Sequence, residues 1–436
     1  MVERGSWRVF WRGLWAVILS GVFLVAVPGA RPDPGGESFQ ALGIARDHLF
    51  DFAAWEAGAL FDKATTALLA PQRYMTEGER SQFVRDYFLL VKEILSVERE
   101  IESLYIAPEI GNPDLASLPL RARRDDLRAE QQARQALAEA IIQAQTAEVA
   151  REAGFGFAGQ VLPPIQMRFT RLPTLLVISP RDRIERTGAY PLEHGLTVER
   201  QEAIEGSVEQ ELGVSALIVP LGGLAVYPAM LVETDNLAFA FEVTAHEWMH
   251  HYLTFYPLGF NYGTTPELYT MNETVASIVG KELSQMVLSR YYPDLAPPPP
   301  DYTPVPPPQE EPAPQPESET PAFDFRAEMH KTRVRVDELL AAGQIEEAEA
   351  YMEARRLVFL ENGYRIRKLN QAYFAFYGSY ADQPGSSGAD PIGPAIREVR
   401  YYSASLSEFI SRVRGLTTSE QLFALLEEVR QDGSSG

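Results

Sequence analysis

Residues 246–250 read His-Glu-Trp-Met-His. Two histidines four apart on a helix stand one turn above each other on one face, so both imidazoles can reach a single cation. Glu247, beside the first of them, can then bind a water on the cation's open side, and this is the HExxH pattern of zinc hydrolases. The chain has six histidines and no cysteine. Disulfides, thiolate metal sites, iron–sulfur clusters and a cysteine nucleophile are therefore excluded. A catalytic zinc takes three protein ligands and a water. Downstream of His251 no histidine and no aspartate occurs before Pro293, and Leu253 and Tyr256 stand where a metzincin needs glycine and histidine. Three candidates for the third ligand remain: Glu267, Glu273 and Glu282.

Met271-Asn272-Glu273-Thr274-Val275-Ala276 resembles the NExxA segment of the gluzincins, the group of zinc peptidases that includes thermolysin. The layout is also similar to bacterial aminopeptidase-like proteins that carry HExxH and a later NE pair. The resemblance covers residues 224–280, under a fifth of the chain, and 22 residues separate His250 from Glu273. It implies Glu273 as the third ligand of a zinc (Zn2+) cofactor and a peptide or protein as the substrate. It also implies an edge strand before the zinc helix that pairs with the substrate backbone, a position that Leu224–Glu233 fills. Two features depart from the group. There is no GAMEN-type segment, and Ser277 stands where thermolysin-type enzymes carry an aspartate that orients the first histidine. That role then passes to Ser277 or to a backbone carbonyl.

The chemistry of such a set is metal-assisted hydrolysis, with Glu247 taking a proton from water and passing it to the leaving amine. A Tyr or His from the carboxy-terminal part is expected to stabilise the oxyanion. His330 is one candidate. Asn370, Tyr373 and Tyr377 share a helix face and offer another, with Tyr373 as the chosen residue and aromatic core packing as the competing explanation. Aminopeptidase action would need a carboxylate to grip the free amine, and Glu233 or Glu267 could serve. His251 faces away from the pair, and His48 and His194 read as structural. No GxSxG supports serine hydrolysis. Gly154, Gly156 and Gly159 match GxGxxG, but a helix precedes them and Pro163 and Pro164 follow, so no phosphate loop is expected.

The elements that must hold these residues follow from periodicity. Helices are expected over Leu237–Phe255 and Thr270–Tyr291, short strands at Leu175–Ser179 and Ala216–Pro220, and a helix over Val198–Leu212. Pro228 inside the extended run Leu224–Glu233 argues for an edge strand, because proline cannot donate to an interior ladder. Upstream, Thr76 and Glu79 form a capping-box signature before a helix that runs to Leu104. A polar, Ala-, Arg- and Gln-rich helix spans Leu118–Ala153, so a helical hairpin is expected between membrane and catalytic unit. Nearly half the residues from Pro297 to Pro321 are proline, which reads as an extended linker.

The whole is read as an α+β chain of 436 residues with net charge −21, a charge that disfavours nucleic acid as a partner. The expected units are residues 1–30 (signal anchor), 37–155 (helical), 156–295 (zincin-like catalytic unit), 296–322 (linker) and 323–431 (helical). Arg4, Arg8 and Arg12 precede an apolar run from Gly13 to Pro28, and cutting after Ala30 would put Pro28 at the −3 position. An uncleaved single-pass transmembrane anchor in the lipid bilayer, with the rest extracytoplasmic, is therefore expected in preference to secretion. The function expected is a membrane-anchored zinc metallopeptidase. The alternative is an anchored, non-catalytic scaffold with a structural or vestigial metal site.

Overall fold

The computed structural model describes residues 37–303, 323–378 and 391–434, apart from residue 53 and residues 60–62, 64–70 and 107–109. The fold is mixed α+β, mostly helical, with small sheets. Helix α1 (Glu37–Ala45) is followed by α2 (Glu77–Ile106) and α3 (Leu118–Ala150). Thr76 opens α2 with a reciprocal cap, its hydroxyl accepting from the Glu79 amide while Glu79 Oε2 accepts from the Thr76 amide at 2.7 Å. The polar helix α3 lies folded back against α2, tied by Arg123–Glu93 and Arg128–Glu98. Its buried polar groups are used internally: Glu139 accepts from the Phe169 amide at 2.9 Å, and Gln145 accepts from the Tyr292 hydroxyl at 2.9 Å. The hairpin is thus no free spacer. Its Tyr87, Val91, Ile141 and Ile142 share one continuous core with Trp248, Met271 and Val275.

Strands β1 (Met167–Thr170), β2 (Thr174–Ser179) and β3 (Gly188–Leu192) come next. Then come α4 (Val198–Leu212), β4 (Ser215–Pro220), β5 (Gly223–Leu224) and β6 (Ala229–Val232). One antiparallel sheet has the order β3-β2-β4. Alternation puts Leu176, Ile178 and Ile218 against α1 and α4, and Leu175, Val177 and Leu217 on the opposite face. The second sheet has the order β1-β6-β5, with β1 parallel and β5 antiparallel to β6. The extended run expected as a single edge strand is therefore two strands. Its second half, β6, is central, and Tyr227-Pro228 lies in the connection just before it, where a missing N–H costs no ladder bond. The GxGxxG match is a turn and a two-residue hairpin, with Gly154 at φ 99° and Gly159 at φ 77°.

Helices α5 (Leu237–Leu253) and α6 (Pro266–Tyr291) follow, capped by Asn236 and Thr265. They cross closely because Gly280 has no side chain: a Cβ there would lie 2.9 Å from the Glu242 carbonyl and 3.2 Å from His246 Cβ. The carboxy-terminal helices divide between two places. Helices α7 (Phe325–Ala341), α8 (Ile345–Glu361) and α9 (Gln371–Tyr377) pack among themselves, and α9 covers the open face of the β2–β4 sheet. Helices α10 (Ile392–Tyr401), α11 (Leu406–Val413) and α12 (Ser419–Ser434) join the core around α6.

The expected membrane anchor needs correction. No helix among the described residues is long and apolar enough to cross a membrane. The run from Gly13 to Pro28 that motivated the single-pass, extracytoplasmic assignment lies outside the described residues, as does most of the Pro-rich segment.

Candidate metal centre

Helix α5 presents His246 and His250 on one face, and α6 brings Glu273 against them. The Nε2 atoms of the two imidazoles are 3.1 Å apart, and Glu273 Oε2 lies 3.4 Å from that of His246 and 3.7 Å from that of His250. Ligands bound at the usual zinc–nitrogen and zinc–oxygen lengths in a tetrahedron are separated by about 3.4 Å, and the three separations bracket that value. Among the described residues these are the three that form a metal-competent group.

Proton placement agrees with the geometry. His250 Nδ1 donates to Asn272 Oδ1 at 2.7 Å, and the Asn272 amide donates to the Leu258 carbonyl at 3.2 Å, which fixes its orientation. With the proton on Nδ1, the Nε2 of His250 carries a lone pair toward Glu273. Burial pushes the His250 imidazole down to about 4, so it is neutral. For Glu273 burial acts upward, but the neighbouring His250 and His246 and the Tyr262 hydroxyl outweigh it and hold the carboxyl at about 2. Glu273 Oε1 accepts from the Tyr262 hydroxyl at 2.7 Å, whereas Oε2, fully buried, has no hydrogen-bond partner among the described residues. A buried carboxylate oxygen without a donor is costly unless a cation sits beside it. The residues present therefore fit a zinc ion, offering two imidazole nitrogens and one carboxylate oxygen.

Glu247 is 6% exposed. Burial raises its carboxyl to about 7, with the Glu273 charge adding to the rise and His246 opposing it. It lies under β5: a Cβ on Gly223 would come within 2.3 Å of Glu247 Oε1, so the strand passes directly over the carboxylate. Trp248, on the other side of α5, is anchored by its indole N–H to the Pro163 carbonyl at 2.9 Å. His251 Nε2 contacts the Val226 carbonyl at 3.0 Å and ties the helix to the β5–β6 turn.

The other expected residues lie elsewhere. Glu282 is held by Arg400 at 2.6 and 2.9 Å, and Glu267 is exposed in the first turn of α6. Glu233 pairs with Arg128 at 2.7 Å. His330 is on α7, His194 is exposed, and His48 contacts Glu193 at 2.6 Å and Arg200 at 2.9 Å. Tyr373 sits on α9, with the Tyr377 ring 4.6 Å away, and packs between the α7–α8 cluster and the β2–β4 sheet. Asn370 caps that helix by accepting from the Tyr373 amide at 2.9 Å. Three residues near the centre escaped sequence reasoning as contributors: Asn272 as the His250 partner, Tyr262, and Gly223. Asn272 does for the second histidine what Ser277 or a carbonyl was expected to do for the first.

Comparison with models of known protein families, with curated proteins and with solved structures yields no match.

Proposed function

We propose that the chain is a zinc metallopeptidase with a zincin-like catalytic unit, and that Glu247 is its general base. The observation that carries this reading is the convergence of His246 Nε2, His250 Nε2 and the buried Glu273 Oε2, which lacks a hydrogen-bond partner among the described residues, at tetrahedral-edge separations. A zinc ion held there supplies Lewis-acid polarisation of a carbonyl and acidification of water. Glu247 accepts a proton from the attacking water, and a carboxyl poised near 7 can return it to the leaving amine. Burial of Glu247 beneath β5 keeps bulk water from this proton. Glu233 is engaged by Arg128 and so gives no support to a free-amine grip; the reading is peptide-bond hydrolysis without a preferred chain end.

A structural metal site has no use for a buried carboxylate next to its ligand, and this weighs against the scaffold alternative. The deciding variant is Glu247→Gln. It is expected to keep its zinc and to lose cleavage of a peptide library by about a hundred- to ten-thousandfold. Cleavage at the parent rate would remove Glu247 from the mechanism.

A further inference from the structure

Tyr262 belongs to neither motif. It lies in the loop between α5 and α6, next to Gly263 at φ 74°, and its ring is edge-on to His250 with centroids 5.6 Å apart. Glu273 has two oxygens, and either could serve a cation. The Tyr262 hydroxyl donates to Oε1 at 2.7 Å, while Oε2 is the atom that faces both Nε2 nitrogens and lacks a hydrogen-bond partner among the described residues. A carboxylate left to rotate about its last bond exchanges its two oxygens and can offer both. A donor fixed on one of them removes that freedom, and groups that orient a ligand in this way set metal affinity as strongly as many ligands do. The loop that carries Tyr262 is itself held: Leu258 donates to the Arg414 carbonyl at 3.1 Å and accepts from Asn272. Tyr262 also packs against Tyr269 in a tilted arrangement, the centroids 5.1 Å apart, and Arg186 lies 3.6 Å over the Tyr269 ring. The phenol is thus held by ring contacts with both His250 and Tyr269.

We propose that Tyr262 is a positioning residue that keeps Glu273 monodentate, presenting Oε2 alone to the cation and leaving room for water beside it. This inference rests on the zinc reading of the site and adds to it a residue outside both motifs. Its test uses the full-length chain and three proteins: the parent, Tyr262→Phe and Tyr256→Phe. Tyr256 is the control, because its hydroxyl, on the same connection, donates to the Tyr252 hydroxyl at 3.3 Å instead of to Glu273. Zinc affinity is measured by competition with a chromophoric chelator. Cobalt is then substituted and the visible absorption recorded, since its intensity falls when a second carboxylate oxygen joins the coordination.

Tyr262→Phe is expected to bind one metal at saturation with about tenfold weaker affinity. Its cobalt bands should be weaker than those of the parent, while Tyr256→Phe matches the parent in both readouts. Equal affinity and an identical cobalt spectrum in Tyr262→Phe would overturn the positioning role while leaving the zinc site standing. A parent chain that takes up neither zinc nor cobalt would instead overturn the zinc reading, and this inference with it.

Discussion

Asn272 and Tyr262 each make a side-chain hydrogen bond to a proposed ligand, and together they bear on which atoms face the centre. Asn272 puts the His250 proton on Nδ1, and Tyr262 occupies Oε1 of Glu273. Removing the first, by Asn272→Ala, is expected to weaken zinc binding by about ten- to a hundredfold with the ligands intact. Unchanged affinity in chelator competition would show that the imidazole is held by packing alone. The three proposed ligands are legible in the sequence, because a four-residue spacing on a helix and an NExxA segment are local patterns. Tyr262 and Gly223 are not, since each reaches the centre through tertiary folding and neither belongs to a periodic stretch. The stripe Asn370, Tyr373 and Tyr377 is ambiguous in the sequence. Helical spacing of aromatics is produced equally well by packing, and Asn370 is spent on capping α9 and on the Ala216 carbonyl at 3.0 Å.

Two glycines set how closely the elements approach at the site. Gly223 lets β5 lie on Glu247, and Gly280 lets α6 lie on α5. Gly223→Ala would press a methyl into the end of a side chain that can swing away. The expected result is a large loss of cleavage with zinc affinity unchanged; parent-like cleavage would mean the strand lifts off without disturbing the base. Gly280→Ala meets backbone instead, at the Glu242 carbonyl, and is expected to cost about 1–3 kcal/mol in urea unfolding. A midpoint equal to the parent's would mean the two helices have slack. The long helices and the strands at Leu175–Ser179 and Ala216–Pro220 were readable because their apolar periods are unbroken. The run Leu224–Glu233 reads as one edge strand because its Pro228 is equally at home in an edge strand and in the connection, held by His251, that separates β5 from β6.

Across the whole molecule, α2, α3 and α10–α12 wrap α5 and α6 in one core, whereas α7–α9 grip the β2–β4 sheet from the other side. Arg367, just before α9, anchors that grip by pairing with fully buried Glu205 of α4, which also accepts from the Ile218 amide at 2.6 Å. Arg367→Met leaves Lys368, at 3.0 Å, as the remaining cation beside Glu205, and is expected to destabilise the chain by roughly 3 kcal/mol. A loss below about 1 kcal/mol would mean that Lys368 alone neutralises the carboxylate. No sequence pattern announces this tie, because its partners are 162 residues apart. The central claim, that His246, His250 and Glu273 hold zinc, is tested most directly by the metal content of the purified full-length chain after dialysis without chelator. About one zinc per chain is expected, falling to background in Glu273→Ala. No zinc in the parent, and none taken up when it is added, would contradict the account.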